Sequence, residues 1–94
     1  MGKRLHAIVE GRVQGVSFRY YTVQQARHLN LTGWVQNNPN HTVEVVAEGE
    51  NANLEKLLTF LQSGSPAAQV NNIQISWSDA SGTFDDFSVR YQHR

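Results

Sequence analysis

Residues 43–61 read VEVVAEGENANLEKLLTFL, and the hydrophobic period changes once within them. Val43, Val45 and Ala47 alternate with Glu44 and Glu48, the two-residue repeat of a strand with one buried face. Leu54, Leu57, Leu58 and Leu61 then fall at i, i+3, i+4 and i+7, the stripe of an amphipathic helix. Gly49 closes the strand, and Asn51 or Asn53 can cap the helix start. Gly64 before Ser65-Pro66 stops the helix, because Gly accepts the left-handed C-terminal conformation and Pro cannot continue a helix.

The same strand-to-helix change occurs near the start of the chain. Leu5, Ala7 and Val9 alternate with His6 and Glu10, a glycine-bearing loop follows, and from Tyr20 the pattern becomes Val23, Ala26 and Leu29 on one helical face. Gln24, Gln25, Arg27 and His28 lie on the other face, and the helix ends between Asn30 and Gly33. Gly33-Trp34-Val35-Gln36-Asn37 reads as a strand entering a turn at Asn38-Pro39-Asn40-His41, so it pairs antiparallel with the strand from Val43. Ile73, Ile75 and Trp77 alternate with Gln74, Ser76 and Ser78, and Phe87, Val89 and Tyr91 alternate with Ser88, Arg90 and Gln92. Both are strands with one wet face. The order is strand, helix, strand, strand, helix, strand, with a short last strand appended. This predicts an α+β, ferredoxin-like sandwich in which two helices pack on one face of an antiparallel sheet.

At 94 residues the chain fits one domain, 1–94, with no linker or repeat, and its length leaves nothing else to attach. A domain of this size buries roughly two-thirds of its chain's surface and folds without staples. The absence of Cys removes disulfides, thiolate metal sites and cysteine nucleophiles. Eight Lys plus Arg balance eight Asp plus Glu, and the pI is about 6.9, so nucleic acid is not expected as a partner. No apolar run approaches the roughly 20 residues that span a bilayer. Met1 to Arg4 is basic, but His6, Glu10 and Arg12 interrupt any hydrophobic stretch behind it, so no signal peptide is read there. Gly2 follows Met1, yet His6 stands where a myristoylation signal has Ser or Thr. These features predict a soluble, cytoplasmic protein without membrane contact. The open sheet face carries no long apolar patch, so a monomer is expected.

The loop Gly11-Arg12-Val13-Gln14-Gly15-Val16-Ser17-Phe18-Arg19 joins a strand to a helix N-terminus, where unpaired amides and the helix dipole favour an anion. Gly15 lets the backbone approach a phosphate, and the Arg19 guanidinium can fork onto two of its oxygens. No Lys-Ser or Lys-Thr follows, so this is not a nucleotide P-loop. Alone, Gly-x3-Gly before a helix is a weak signal that an ordinary tight turn also satisfies.

That nonapeptide resembles the first signature of the acylphosphatase family. Gly33-Trp34-Val35-Gln36-Asn37, followed by Thr42-Val43-Glu44, is similar to its second, and Gly64-Ser65-Pro66 and Phe87-Ser88-Val89-Arg90-Tyr91 also look like family features. The likeness covers nearly the whole chain. It implies an enzyme that hydrolyses acyl phosphates to a carboxylate and inorganic phosphate. It further implies that Arg19 and the loop amides of Gln14, Gly15, Val16, Ser17 and Phe18 bind the phosphate, while Asn37 orients the attacking water. The implied partner is a small-molecule acyl phosphate, with no cofactor and no metal. One departure is His41, where the family's hairpin usually carries Gly; Asn40 is expected to take up the unusual backbone angle, with His41 a solvated turn residue.

An acyl phosphate is a mixed anhydride whose carboxylate leaves without being protonated, so a general acid is far less necessary than for an alkyl phosphate. Positioning and charge stabilisation remain, and amides with a guanidinium supply both. His6, His28, His41 and His93 are scattered, and Asp85-Asp86 reads as a solvated loop, with weak divalent-ion binding as its alternative. The bland readings are a surface arginine at a helix start for Arg19 and a strand-end amide for Asn37. Trp34, Trp77, Phe18 and Tyr91 read as core by their alternation, and no RNP1 pattern supports RNA stacking. A phosphate-binding module without turnover stays open as a second function, and a stand-alone relative of acylphosphatase-like domains from larger carbamoyl-transfer enzymes as a third.

Overall fold

The computed structural model describes residues 2–91. In chain order the elements are β1 (Lys3–Arg12), α1 (Phe18–His28), β2 (Thr32–Asn37), β3 (Val43–Gly49), α2 (Asn51–Ser63), β4 (Gln69–Asp79) and β5 (Phe87–Val89). The strands form one sheet in the order β4-β1-β3-β2-β5. β1 outruns its alternating core because it is paired on both sides, with Lys3 opposite Gly49 and also opposite Asp79. The pairs β4–β1, β1–β3 and β3–β2 are antiparallel, as expected, but β5 runs parallel to β2 and the sheet is mixed. The pairing explains why. Asp79 ends β4 beside Lys3, the start of β1, at the sheet end where β3 stops and β2 begins. The chain crosses along that end through residues 80–86, so β5 must set out in the direction of β2.

α1 lies over β2 and β5, α2 lies over β1, β3 and β4, and the helices touch each other. Leu5, Ala7 and Val9 of β1, Val43, Val45 and Ala47 of β3, Val35 and Phe87 meet Phe18, Ala26, Leu54, Leu57 and Leu61 in one core. Neither Asn51 nor Asn53 caps α2: Glu50 holds the N-cap position without a side-chain cap bond. Gly64 does end the helix, at φ 70°, and a Cβ there would stand 2.4 Å from a ring carbon of Phe18. Glycine thus lets the end of α2 close down on the first residue of α1.

Of Trp34, Trp77, Phe18 and Tyr91, all read as core from their alternation, only Phe18 is fully buried; Phe87 is buried beside it. Trp77 and Ile75 lie opposite Leu5 and Ala7, on the core side of the sheet, but β4 is an edge strand that α2 does not fully cover, leaving them 39% and 45% exposed. Trp34 occupies the open face, with the Arg90 guanidinium 4.1 Å over its ring. Tyr91 lies beyond β5 and is 65% exposed.

The crossing segment is latched by one carboxylate. Glu48, buried near the end of β3, accepts from the Ser81 N–H and hydroxyl at 2.9 Å each, the Gly82 N–H at 3.0 Å and Arg4 Nε at 2.7 Å. Burial raises its pKa, but the Ser81 N–H, Arg4, the Gly82 N–H and the Ser81 hydroxyl together outweigh this and hold it at about 2 instead of 4.5.

Candidate active site

After a β-bulge between Glu10 and Gly11, the chain leaves β1 and turns through residues 13–17 into α1. Gly15 stands at φ 73° and Ser17, the N-cap of α1, at φ 62°, ψ 22°. Two left-handed residues in so short a loop turn successive amides toward one concavity. Among the described residues the N–H groups of Gly15, Val16 and Ser17 find no acceptor, and no side chain caps the helix. The first-turn amides of α1 add to this set, since a helix leaves its leading N–H groups unpaired. The concavity is therefore rich in donors at the positive end of a helix.

Two side chains tether the loop from outside. Gln14 Nε2 donates to the carbonyls of Asn38 and Thr42 at 2.9 Å each, joining the loop to the β2–β3 turn. Ser65 Oγ donates to the Val16 carbonyl at 2.7 Å. The turn itself is held by Asn38 N–H to the Thr42 carbonyl at 2.9 Å and His41 N–H to the Asn38 carbonyl at 3.1 Å. Here the expectation for Asn40 is corrected: His41 takes the left-handed conformation, at φ 71°. Asn40 instead uses its side-chain oxygen to accept from Thr42 Oγ1 at 2.7 Å and Thr42 N–H at 3.3 Å.

Gly15, Ser17, Phe18, Arg19 and Asn37 line one cavity of about 520 Å³. Gln14 and Val16 belong to the same loop but do not line it. Asn37 is the last residue of β2, and its Oδ1 is buried without a hydrogen-bond partner among the described residues. Tyr20, Val23, Val89, Tyr91 and Arg27 line the same cavity, and Arg27 Nε donates to the Phe87 carbonyl at 2.9 Å. Tyr91 was missed by sequence reasoning. Its ring lies 5.6 Å from the Arg19 guanidinium, a cation–π contact that holds the arginine without occupying its N–H donors. Alternation with Val89 marks Tyr91 as a core residue, and only the end of β5 at Val89 shows otherwise.

The other candidates lie apart. His6 Nε2 is 2.6 Å from Glu44 Oε2 on the open face, His28, His41, Asp85 and Asp86 are exposed, and His93 lies outside the described residues. Among the described residues no three acidic or histidine side chains gather as a metal site, and no helix is long and apolar enough to cross a membrane.

The sequence and the fold both have counterparts among known proteins. The Acylphosphatase family profile matches residues 5–89. An acylphosphatase of Pelotomaculum thermopropionicum is 44% identical over 94% of this chain and 96% of its own, and one from Anaeromyxobacter sp. is 47% identical over 94% and 95%. The crystal structure of the Bacillus subtilis acylphosphatase superposes with a TM-score of 0.91 at 36% identity, covering 95% of this chain and 99% of that one. Full-length HypF in its phosphate- and nucleotide-bound form matches with a TM-score of 0.87 at 25% identity, over 96% of this chain but 12% of its own. With a donor-rich loop, an arginine and a strand-end asparagine around one cavity, and relatives matched end to end, this chain belongs to the acylphosphatase family.

Proposed function

We propose that this acylphosphatase holds the phosphoryl group of its substrate on the loop amides of residues 14–18 and on Arg19, and that Asn37 orients the water that attacks it. The observation that carries the reading is that Asn37, its Oδ1 free of any protein partner among the described residues, lines the same cavity as Arg19 and the loop residues Gly15, Ser17 and Phe18. A buried amide oxygen without a partner is costly. Turned toward the cavity, the Asn37 amide can accept from a water and leave a lone pair of that water free for phosphorus. A module that only bound phosphate would have no use for a water-orienting amide beside Arg19 in the same cavity.

Water oxygen bonds to phosphorus as the bond from phosphorus to the acyl oxygen breaks. The carboxylate departs with the electron pair, and the water's proton is left on the product phosphate or passes to solvent. Arg19 and the amides stabilise charge on the equatorial oxygens throughout. Because the leaving carboxylate is already a weak base, this scheme calls on no metal and no general acid. Tyr20, Val23, Val89 and Tyr91, which also line the cavity, offer apolar surface to the acyl group. One continuous core supports a single domain over 1–94, the Cys-free composition suits a cytoplasmic location, and the protein acts as a monomer.

The test is steady-state hydrolysis of benzoyl phosphate with EDTA present, comparing the parent with Arg19→Gln and Asn37→Ala. Losing one preorganised donor typically costs about 3 kcal/mol, on the order of a hundredfold in rate. Arg19→Gln should weaken competitive inhibition by phosphate and lower turnover together. Asn37→Ala should lower kcat and leave phosphate inhibition near the parent value. Full kcat in folded Asn37→Ala would remove its assigned role, and loss of parent activity in EDTA would overturn the metal-free scheme.

A further inference from the structure

Ser65 follows Gly64 at the end of α2 and is 2% exposed. Its hydroxyl reaches across 49 positions of sequence to the carbonyl of Val16. A trans peptide points its C=O and its N–H to opposite sides, and no peptide among the described residues is cis. Fixing the Val16 carbonyl on Ser65 therefore fixes the N–H of Ser17 in the opposite direction. The cavity lining agrees, since Gly15 and Ser17 line it and the intervening Val16 does not. The Ser17 N–H has no protein acceptor, and Ser17 is held left-handed at φ 62°. Such a conformation persists in a non-glycine residue only where the surroundings over-determine it.

We infer that Ser65 is a positioning residue of the phosphate cradle: by holding the Val16 carbonyl outward it presents the Ser17 N–H to the phosphoryl oxygens. This rests on the reading of residues 14–18 as the phosphate cradle. Released from Ser65, the peptide between Val16 and Ser17 is free to rotate. A rotated peptide turns a carbonyl oxygen toward the anion where a donor stood. Ser65 thus acts on the reaction without touching substrate.

The experiment follows inorganic phosphate in two ways on the parent, Ser65→Ala and Ser65→Cys: as a competitive inhibitor of benzoyl phosphate hydrolysis, and by the shift of the backbone amide resonances of residues 15–18. Ser65→Ala should raise the inhibition constant about fivefold, the loss expected for one hydrogen bond, and shrink the Ser17 amide shift. Ser65→Cys refills the space with a weaker donor and should fall between Ala and the parent. If Cys restores the parent constant fully, the role is packing and the proposal falls. An unchanged inhibition constant and Ser17 shift in folded Ser65→Ala also overturn it, while the cradle reading stands. If phosphate shifts none of these amides in the parent, the cradle reading fails and the proposal with it.

Discussion

At position 41 a histidine occupies a backbone conformation that favours glycine, at φ 71°. The left-handed region costs a side-chain-bearing L-residue roughly 1–2 kcal/mol, and Gly forfeits about half of any gain through its freer unfolded chain. His41 is exposed, and the bond its N–H makes to Asn38 is one any residue would keep. We therefore expect His41→Gly to stabilise the protein by about 0.5–1 kcal/mol, read as a higher urea midpoint at unchanged slope. A lower midpoint would mean that the imidazole makes a contact that matters. At Gln14 the outcome should depend on pH. In Gln14→Glu an ionised carboxylate would face the carbonyls of Asn38 and Thr42, the acceptors of the present amide. Turnover should drop at neutral pH and recover in part under mild acid, as the protonated side chain regains one donor; a pH–rate profile parallel to the parent's would refute this. Sequence reading assigned the loop backbone at Gln14 to substrate and could not see this bridge, because no local signal tells a side chain in one loop which carbonyls of another will lie beside it.

Among the elements, the segment 80–86 has the least regular structure and one dominant anchor, Glu48. The carboxylate titrates near 2 when folded and at about 4.5 when free. A folded value that is depressed stabilises above the unfolded pKa and ceases to do so as pH falls through the folded one. Between pH 4.5 and 2 the protein should accordingly lose on the order of 3 kcal/mol from this group, and Glu48→Gln should flatten that part of the stability curve while lowering its neutral plateau. Denaturant melts across the acid range would show it, and an acid limb equal to the parent's would discard the latch. Elements with a long repeat were legible from sequence: the Leu54 to Leu61 stripe is α2, and the alternation at Leu5, Ala7 and Val9 is β1. The parallel placement of β5 was not, because only three residues pair and their direction is set by where the crossing chain arrives. Ile75 and Trp77 misled in another way. Alternation reports which side of a sheet a residue faces, but whether a helix covers that side depends on lateral position, and β4 lies at the edge.

Over the whole molecule, the two sheet edges differ. β5 presents three residues, whereas β4 presents eleven, uncharged from Gln69 to Ser78. Long uncharged edges pair readily with other strands unless broken by charge or proline. Ile75→Lys should lower aggregation under mildly destabilising conditions, followed by light scattering, with kcat unchanged; equal aggregation would place the sticky surface elsewhere. The active-site architecture divides along the chain in a further way. Gly15, Ser17, Phe18, Arg19 and Asn37 all precede Gly49, whereas Ser65, Val89 and Tyr91, which support them, follow it. β1 seals the division by pairing with β3 on one side and β4 on the other. A chain opened between Gly49 and Glu50 would leave every reacting group on one fragment and part of what holds them, Ser65 and Tyr91, on the other. Hydrolysis would then return only on reassembly, which would make this small enzyme a two-piece reporter of proximity for whatever is fused to its halves.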